Sequence, residues 1–398
     1  MVVVSGIITL LSQIHATNDV LCRRGRGLGE GPSCGLSMAT SSRTLNSALL
    51  QDVGISVGSV NGANKKGSAS FASVTFVLLN TALGSGILGL PGAFAKAGFI
   101  GGSVLLTLVA ITSVVGVHLL VEVADRTGRP ATFFTVAQAA AGAKAGILID
   151  MLICMNAFGV STSYLIVIGD AMPEVAGSFH GIPSALKERT VWILIGLAIG
   201  APLAFLRNLS ALRFTAYIAF VGVMYICVLV GLYAIAPLTS LKHELEPCAN
   251  MTAPCHGDVV MLGDPLTALD SLPVFIFAFT CHQNAISITN EMVMPTPRRV
   301  AGAAASATAL ALGLYLIVGI GGYYTYGDLV KSDILVMYPD GSVMPVIGRL
   351  AIAFVVTTCY PMQLHPGRAS LISLLHTFGA PDKQGSHPPP LSPLSAHT

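Results

Sequence analysis

Residues 67–95 form a run without Asp, Glu, Lys or Arg that is long enough to cross a bilayer, yet glycine and proline interrupt it. Within the run, four of the twelve residues in Asn80-Thr-Ala-Leu-Gly-Ser-Gly-Ile-Leu-Gly-Leu-Pro91 are Gly or Pro, and both residue types weaken helical hydrogen bonding. In hydrocarbon, such a break is tolerated only where protein or a water-filled cavity satisfies the backbone. The run therefore predicts either a transmembrane helix broken at a solute site or a glycine-rich helix that packs closely on its neighbours.

The composition is that of a membrane protein. Hydrophobic residues make up 53% of the chain and charged residues only 10%, whereas a soluble protein carries about 25% charged residues. We find no basic run with interleaved aromatic residues, so no nucleic-acid partner is predicted. The sequence also has no zinc-ligand spacing, nucleophile elbow or phosphate loop, so we do not expect an enzyme.

Eight charge-free runs predict an all-α bundle with eight transmembrane helices, because about 20 apolar residues span a bilayer. The predicted spans are residues 67–95, 97–121, 151–169, 191–206, 214–241, 271–290, 300–327 and 350–367.

The remaining segments are predicted from their composition. Residues 15–66 are rich in Gly, Ser, Asn and Arg, and we predict that residues 1–66 form a disordered cytoplasmic tail before a transmembrane domain at 67–379. Residues 380–398 are Pro-rich and predict a second disordered tail. Residues 128–143 predict a short amphipathic segment that lies along the membrane interface.

The loop at residues 242–258 is predicted to face the outside or an organelle lumen. The bias of Lys and Arg among the short loops favours a cytoplasmic N-terminus, which puts this loop on the opposite side. It contains the sequon Asn250-Met-Thr252 between Cys248 and Cys255. Glycans and persistent disulfides both belong to that side of a membrane, so we predict a Cys248–Cys255 disulfide and a glycan on Asn250.

A second interruption falls in the sixth predicted span. The apolar stretch Phe275-Ile-Phe-Ala-Phe-Thr280 is followed by Cys281-His-Gln-Asn284, after which an apolar pattern resumes and ends at Glu291. Interrupted spans in the first and sixth positions are what a five-plus-five inverted repeat produces.

At these positions the sequence resembles the amino acid/auxin permease family. The resemblance depends on Gly84-Ser-Gly-Ile-Leu-Gly-Leu-Pro91, Phe277-Ala-Phe-Thr-Cys-His-Gln-Asn284 with Asn290-Glu291, and Tyr360-Pro-Met-Gln-Leu-His-Pro-Gly-Arg368. It covers about residues 70–370. Within the family, the chain most resembles the neutral amino acid transporters and the fungal and plant vacuolar amino acid transporters.

The resemblance implies a LeuT-type fold with broken first and sixth helices, and a secondary active transporter of amino acids. It implies that the helix end at Gly84, Ser85 and Gly86 offers amides to the substrate carboxylate. Backbone carbonyls at Thr280, Cys281 and His282 would receive the substrate ammonium.

The resemblance also implies coupling to Na⁺ or H⁺, in the plasma membrane or a vacuolar or lysosomal membrane, without another cofactor. Asn80, Thr357 and Thr358 match positions of a coupling-ion site. Other interpretations of these residues stay open. Asn80 can bond to a neighbouring helix, Thr357 and Thr358 to their own helix, and His282 can stabilise the helix break.

The resemblance implies eleven helices, of which the sequence supplies eight, so we expect an incomplete second repeat. This leaves two interpretations open, a truncated gene model and a short natural product. A non-transporting amino acid sensor or a regulatory paralogue is the alternative function. The oligomeric state is not predicted.

Overall fold

The computed structural model describes residues 69–127, 131–179, 181–204, 212–236, 256–339 and 342–379. In these residues the regular structure is helical, with one isolated β-bridge between Ala69 and Met292. The α-helices are α1 (Phe71–Ala82), α2 (Leu90–Ala97), α3 (Phe99–Thr127), α4 (Phe133–Ala141), α5 (Ala143–Gly177), α6 (Arg189–Ala204), α7 (Leu212–Ile235), α8 (Pro265–Ala278), α9 (His282–Glu291), α10 (Pro297–Tyr326) and α11 (Val343–Gly379).

The prediction of an all-helical membrane protein is confirmed for this part of the chain. Six helical segments are long and apolar enough to span a membrane, counting α8 and α9 as one. A seventh span is formed if α1 is joined to the helical segment Ser85–Ala97, which bends away from it by 49°. The predicted span at 191–206 corresponds to α6, which has only 16 residues, so the predicted count of eight is not confirmed.

Large apolar side chains on the outside of the bundle identify its lipid-facing surface. On α3, the exposed side chains include Val104, Leu108, Ile111 and Val115. Their spacing puts them on one side of the helix. In water this stripe would be an unfavourable surface, but in a bilayer it contacts acyl chains.

The two interrupted spans run antiparallel to each other, because backbone hydrogen bonds tie them together at both ends. At one end the Ala69 amide donates to the Glu291 carbonyl at 3.0 Å. At the other end the Gly263 amide donates to the Ala97 carbonyl at 2.9 Å. Gly98 turns the chain there at φ 80°, and a Cβ on it would lie only 2.6 Å from the Gly263 nitrogen.

This pairing brings the middle of the first span beside the middle of the sixth. Helix α10 packs against α1, α2 and α3, and α5 packs along α11 in the most extensive helix pair of the described part. The LeuT-type inverted repeat of the whole bundle stays a prediction. The two predicted tails lie outside the described residues.

Candidate functional site

The first span loses its α-helical geometry at Leu83 and Gly84. Helix α1 ends at Ala82, Gly84 is extended with φ −107° and ψ −151°, and a 3₁₀ turn at Ser85–Gly89 leads into α2. The first amides of a helical segment have no partner within it. The turn therefore directs hydrogen-bond donors and the positive end of its dipole toward the break.

The second break lies between α8 and α9, at Phe279, Thr280 and Cys281. The Phe279 carbonyl accepts from the Ser113 hydroxyl of α3 at 3.3 Å. The Thr280 carbonyl accepts from the side chain of Gln283 at 3.4 Å. The Phe279 carbonyl also accepts from the Cys281 amide at 3.0 Å. A carbonyl has two lone pairs, so an acceptor position for a further donor remains at Thr280.

Tyr315 of α10 connects the two breaks. Its hydroxyl lies 2.6 Å from the carbonyl oxygen of Ala82 and 2.7 Å from that of Ala278. These carbonyls end α1 and α8, where helical partners are missing. The hydroxyl shares its single proton between the two carbonyl oxygens. It therefore keeps the end of α1 and the end of α8 close together.

Glycine allows the close approach of the two breaks. A Cβ on Gly86 would lie 3.1 Å from the Ala278 Cα, which is backbone and cannot move aside cheaply. A Cβ on Gly84 would lie 2.5 Å from the Tyr164 hydroxyl. Side chains at either position would separate the spans or displace Tyr164.

A small cavity lies between the breaks, with a volume of about 10 Å³. That volume is about what one water molecule needs. The residues that line it come from both broken spans, α5 and α11: Thr81, Ala82, Gly84, Ser85, Gly86, Val160, Tyr164, Phe277, Thr280 and Gln363.

Four of the six predicted substrate residues line this cavity: Gly84, Ser85, Gly86 and Thr280. Cys281 and His282 do not line it, although both are buried. The His282 Nε2 atom lies 3.2 Å from the Ser113 carbonyl oxygen, so this ring contacts α3.

Of the predicted ion residues, Asn80 lies where α1 meets α11, and Thr357 and Thr358 lie on α11. The Asn80 amide nitrogen lies 3.5 Å from the sulfur atoms of Cys359 and Met362, and the Asn80 Oδ1 atom is buried with no hydrogen-bond partner. Thr357 and Thr358 donate to carbonyls of their own helix at 2.7 Å and 2.9 Å. A hydroxyl that donates its proton still has lone pairs for a cation.

Sequence reasoning missed a chain of amides beside the cavity. Gln283 of α9 donates to the Gln363 side-chain oxygen of α11. Gln363 in turn donates to the Thr81 carbonyl at 3.2 Å and to the Tyr164 hydroxyl at 3.3 Å. The available signal was a glutamine inside each of two apolar spans, where an amide needs a buried partner.

A larger cleft of about 490 Å³ lies away from the breaks, near the end of α3 and the start of α10. It is lined by His118, Glu122, Asp125, Arg126, Thr296, Pro297 and Arg298. These polar and charged side chains lie toward helix ends, so we do not assign the substrate site there. The predicted disulfide of Cys248 and Cys255 and the predicted glycan on Asn250 lie outside the described residues.

Comparison with known proteins adds independent evidence. Residues 67–396 match the family described as transmembrane amino acid transporter protein. The chain is 34% identical to vacuolar amino acid transporter 6 of Saccharomyces cerevisiae, over 78% of this chain and 67% of that protein.

Two further relatives come from other organisms. The chain is 34% identical to vacuolar amino acid transporter 5 of Schizosaccharomyces pombe, over 77% of this chain and 70% of that protein. It is 27% identical to sodium-coupled neutral amino acid transporter 7 of Xenopus laevis, over 78% of this chain and 68% of that protein.

Proposed function

Because this chain belongs to the transmembrane amino acid transporter family, we propose that it carries amino acids across a membrane and binds them between its two helix breaks. The observation that carries the proposal is the position of the breaks. Two spans lose their helical geometry at the same height, side by side, around one cavity. A transporter needs backbone donors and acceptors at such a position for a zwitterionic solute.

The two breaks supply complementary groups. The amides at the start of the Ser85–Gly89 turn suit a carboxylate. The carbonyl of Thr280 suits an ammonium group, which is a donor without acceptors. The cavity of about 10 Å³ holds no amino acid, so the two spans must separate before a substrate enters.

We further propose that a cation gradient drives the transport. A sodium site at Asn80, Thr357 and Thr358 is supported by the buried, unpartnered Oδ1 of Asn80 beside α11. Neutral oxygens of this kind suit a hard cation. Proton coupling is the other possibility and requires a titratable group within the bundle.

We propose the vacuolar or lysosomal membrane as the site of action. The support is that two of the similar proteins, from two yeasts, are named vacuolar amino acid transporters. A fluorescent fusion of the full chain should then label that membrane. A fusion found only at the cell surface would contradict this compartment.

Uptake by proteoliposomes tests the function. The purified full chain is reconstituted and supplied with a radiolabelled mixture of the twenty amino acids, under a sodium gradient, a pH gradient, both or neither. The proposal predicts accumulation under at least one gradient. Uptake equal to that of protein-free liposomes under every condition would contradict it and would favour a non-transporting sensor.

Variants distinguish the coupling ions. If sodium drives uptake, Asn80→Ala and Thr358→Ala should raise the sodium concentration for half-maximal uptake, because each removes one oxygen ligand. His282→Ala is the control and should leave the sodium dependence unchanged. Sodium-dependent uptake that neither Asn80→Ala nor Thr358→Ala alters would contradict this ion site.

A further inference from the structure

Asp150 is a buried carboxylate that the transport site does not use. It lies on α5 with 2% of its surface exposed, facing α11. Its Oδ1 atom accepts a hydrogen bond from the Ser370 hydroxyl at 2.8 Å, and the Ser373 hydroxyl also faces the carboxylate. Its Oδ2 atom is buried and has no hydrogen-bond partner.

This environment is a poor one for a purely structural aspartate. Asp150 lies within α5, so it does not cap a helix start. An ionised carboxylate buried without a cationic partner is costly. Protonation removes the charge and with it that cost.

The ionisable groups on the helices that pack against α5 either lie away from Asp150 or interact with another residue. Helix α4 contains no ionisable residue, and Arg189 of α6 bonds Asp170 at 2.6 Å, near the other end of α5. On α11, the charge of Arg368 acts on His365. On α5 itself, Cys154 lies near enough for the Asp150 charge to act on its thiol.

The contact between α5 and α11 links Asp150 to the cavity. A Cβ on Gly367 would lie 2.4 Å from the Ala157 Cβ, so the two helices touch almost backbone to backbone there. Farther along the same contact, Tyr164 of α5 accepts from Gln363 of α11, and both line the cavity. Asp150 lies four helical turns from Tyr164, about 20 Å along the axis.

Asp150 lies toward the end of the bundle where the first span begins. The Asn290 side chain donates to the Ala131 carbonyl at 3.0 Å, which ties the end of α9 to the segment that leads into α4 and α5. The same end of α9 is bonded to Ala69, just before α1. With the predicted orientation, this end faces the cytoplasm.

We propose that Asp150, with Ser370 and Ser373, is the proton-binding site that couples transport to a pH gradient. The inference rests on the proposed function and names the proton as its coupling ion. While α5 and α11 are closed on each other, the Asp150 carboxyl carries one proton. When they separate toward the cytoplasm, water hydrates the carboxylate and the proton leaves to that water. Before the next cycle, a proton from the opposite side of the membrane must reach Asp150 while the bundle is open to that side, so that each cycle moves one proton across the membrane.

The test separates driven accumulation from counterflow in proteoliposomes that contain the full chain. Counterflow exchanges the radiolabelled amino acid mixture for unlabelled amino acids inside, without an ion gradient, so it needs no net proton transfer. Asp150→Asn should lose accumulation under a pH gradient and retain counterflow. The matched control Asp270→Asn, which alters an exposed carboxylate on α8, should retain both.

A second variant tests the inference even if Asp150→Asn does not fold. Ser370→Ala removes a hydrogen bond to the ionised carboxylate, so the pH for half-maximal accumulation should rise by about one unit. Ser306→Ala, an exposed serine on α10, is the control and should not shift it.

The outcomes distinguish failure of the inference from failure of the proposed function. Wild-type protein without accumulation or counterflow would contradict transport itself. Wild-type accumulation driven by sodium but not by pH would overturn the proton site and leave transport standing. Accumulation by Asp150→Asn under a pH gradient would also overturn it. So would loss of both activities in Asp150→Asn together with an unshifted profile in Ser370→Ala.

Discussion

The hydroxyl of Tyr315 is the group through which α10 contacts both helix breaks. Its two acceptors are the last-turn carbonyls of α1 and α8, and the side chain is fully buried. In hydrocarbon no water is available to satisfy carbonyls at broken helix ends. A tyrosine donor from a third helix therefore stabilises the closed arrangement of the two spans.

Tyr315→Phe should lower the free energy of unfolding by about 1–3 kcal/mol, because it removes a buried hydroxyl donor from the Ala278 and Ala82 carbonyls, of which Ala82 keeps the Gly84 amide. Thermal unfolding of the purified protein in detergent measures this. Tyr324→Phe is the matched control, because that tyrosine is 44% exposed on the same helix. Equal losses of stability in the two variants would contradict the role of the Tyr315 hydroxyl.

At the level of single residues, the sequence predicts groups that disturb a helix and not the groups that come from distant spans. Glycines in an apolar run identify Gly84 and Gly86, and the polar interruption identifies Thr280. Tyr164 and Tyr315 carry no such local signal, and a glutamine within an apolar span indicates only that Gln363 needs a buried partner. Their roles depend on which helices pack together, and no spacing within one helix encodes that pairing.

Among the elements, the segment between α10 and α11 covers the second half of the first span. A Cβ on Gly92 would lie 3.3 Å from the Lys331 carbonyl oxygen, so the two backbones are in contact. Arg349 of α11 holds the segment, because its Nη2 donates to the carbonyls of Leu335 and Tyr338 at 3.1 Å and 3.0 Å. Within the segment, Asp333 caps the 3₁₀ turn Ile334–Met337, where its carboxylate accepts from the Leu335 amide at 2.9 Å.

This segment should be more stable at acid pH. Burial, helped by the charge of Asp170 and opposed by the Leu335 amide and the Arg349 charge, raises the pKa of Asp333 to about 6. A raised pKa in the folded protein means that the protonated form is favoured. The contribution to stability is complete below the ordinary pKa of about 4 and is lost as pH rises through about 6.

Hydrogen exchange of the amides at 331–339, corrected for intrinsic rates, should therefore show more protection at pH 4.5 than at pH 7. Asp333→Asn should remove the difference, whereas the exposed Asp270→Asn should preserve it. Protection of wild-type protein that does not change with pH would contradict the prediction.

Several helices of the structure are longer than the charge-free runs from which the spans were predicted. The second predicted span ends at residue 121, whereas α3 continues to Thr127 and includes Glu122 and Arg126. These two side chains form an ion pair at 2.6 Å one turn apart, which a helix accommodates at its end. Likewise α5 includes Lys144 and Asp150 before the predicted span at 151–169. Charges end the hydrocarbon crossing but not the helix.

In the molecule as a whole, two interrupted spans run antiparallel with their breaks in contact, α10 bridges the breaks, and α5 packs on α11 beside them. The sequence predicts the interrupted spans and their spacing along the chain, because glycine, proline and polar residues interrupt apolar runs. It does not predict the closed cavity, because the contacts of Tyr164 with Gln363 and of Asn80 with Cys359 join residues far apart in the chain.

The central claim is that an amino acid binds between the two breaks. Equilibrium binding of the radiolabelled amino acid mixture to purified full-length protein tests it most directly, with Gly86→Leu compared with Gly313→Leu. A side chain at Gly86 would collide with the backbone of Ala278, next to the second break, whereas a Cβ at Gly313 would have no neighbouring atom within 4 Å. The account predicts that Gly86→Leu loses binding while Gly313→Leu binds like wild type. Thermal unfolding should show a cooperative transition for both variants, which establishes that both are folded. Wild-type affinity in folded Gly86→Leu would contradict it.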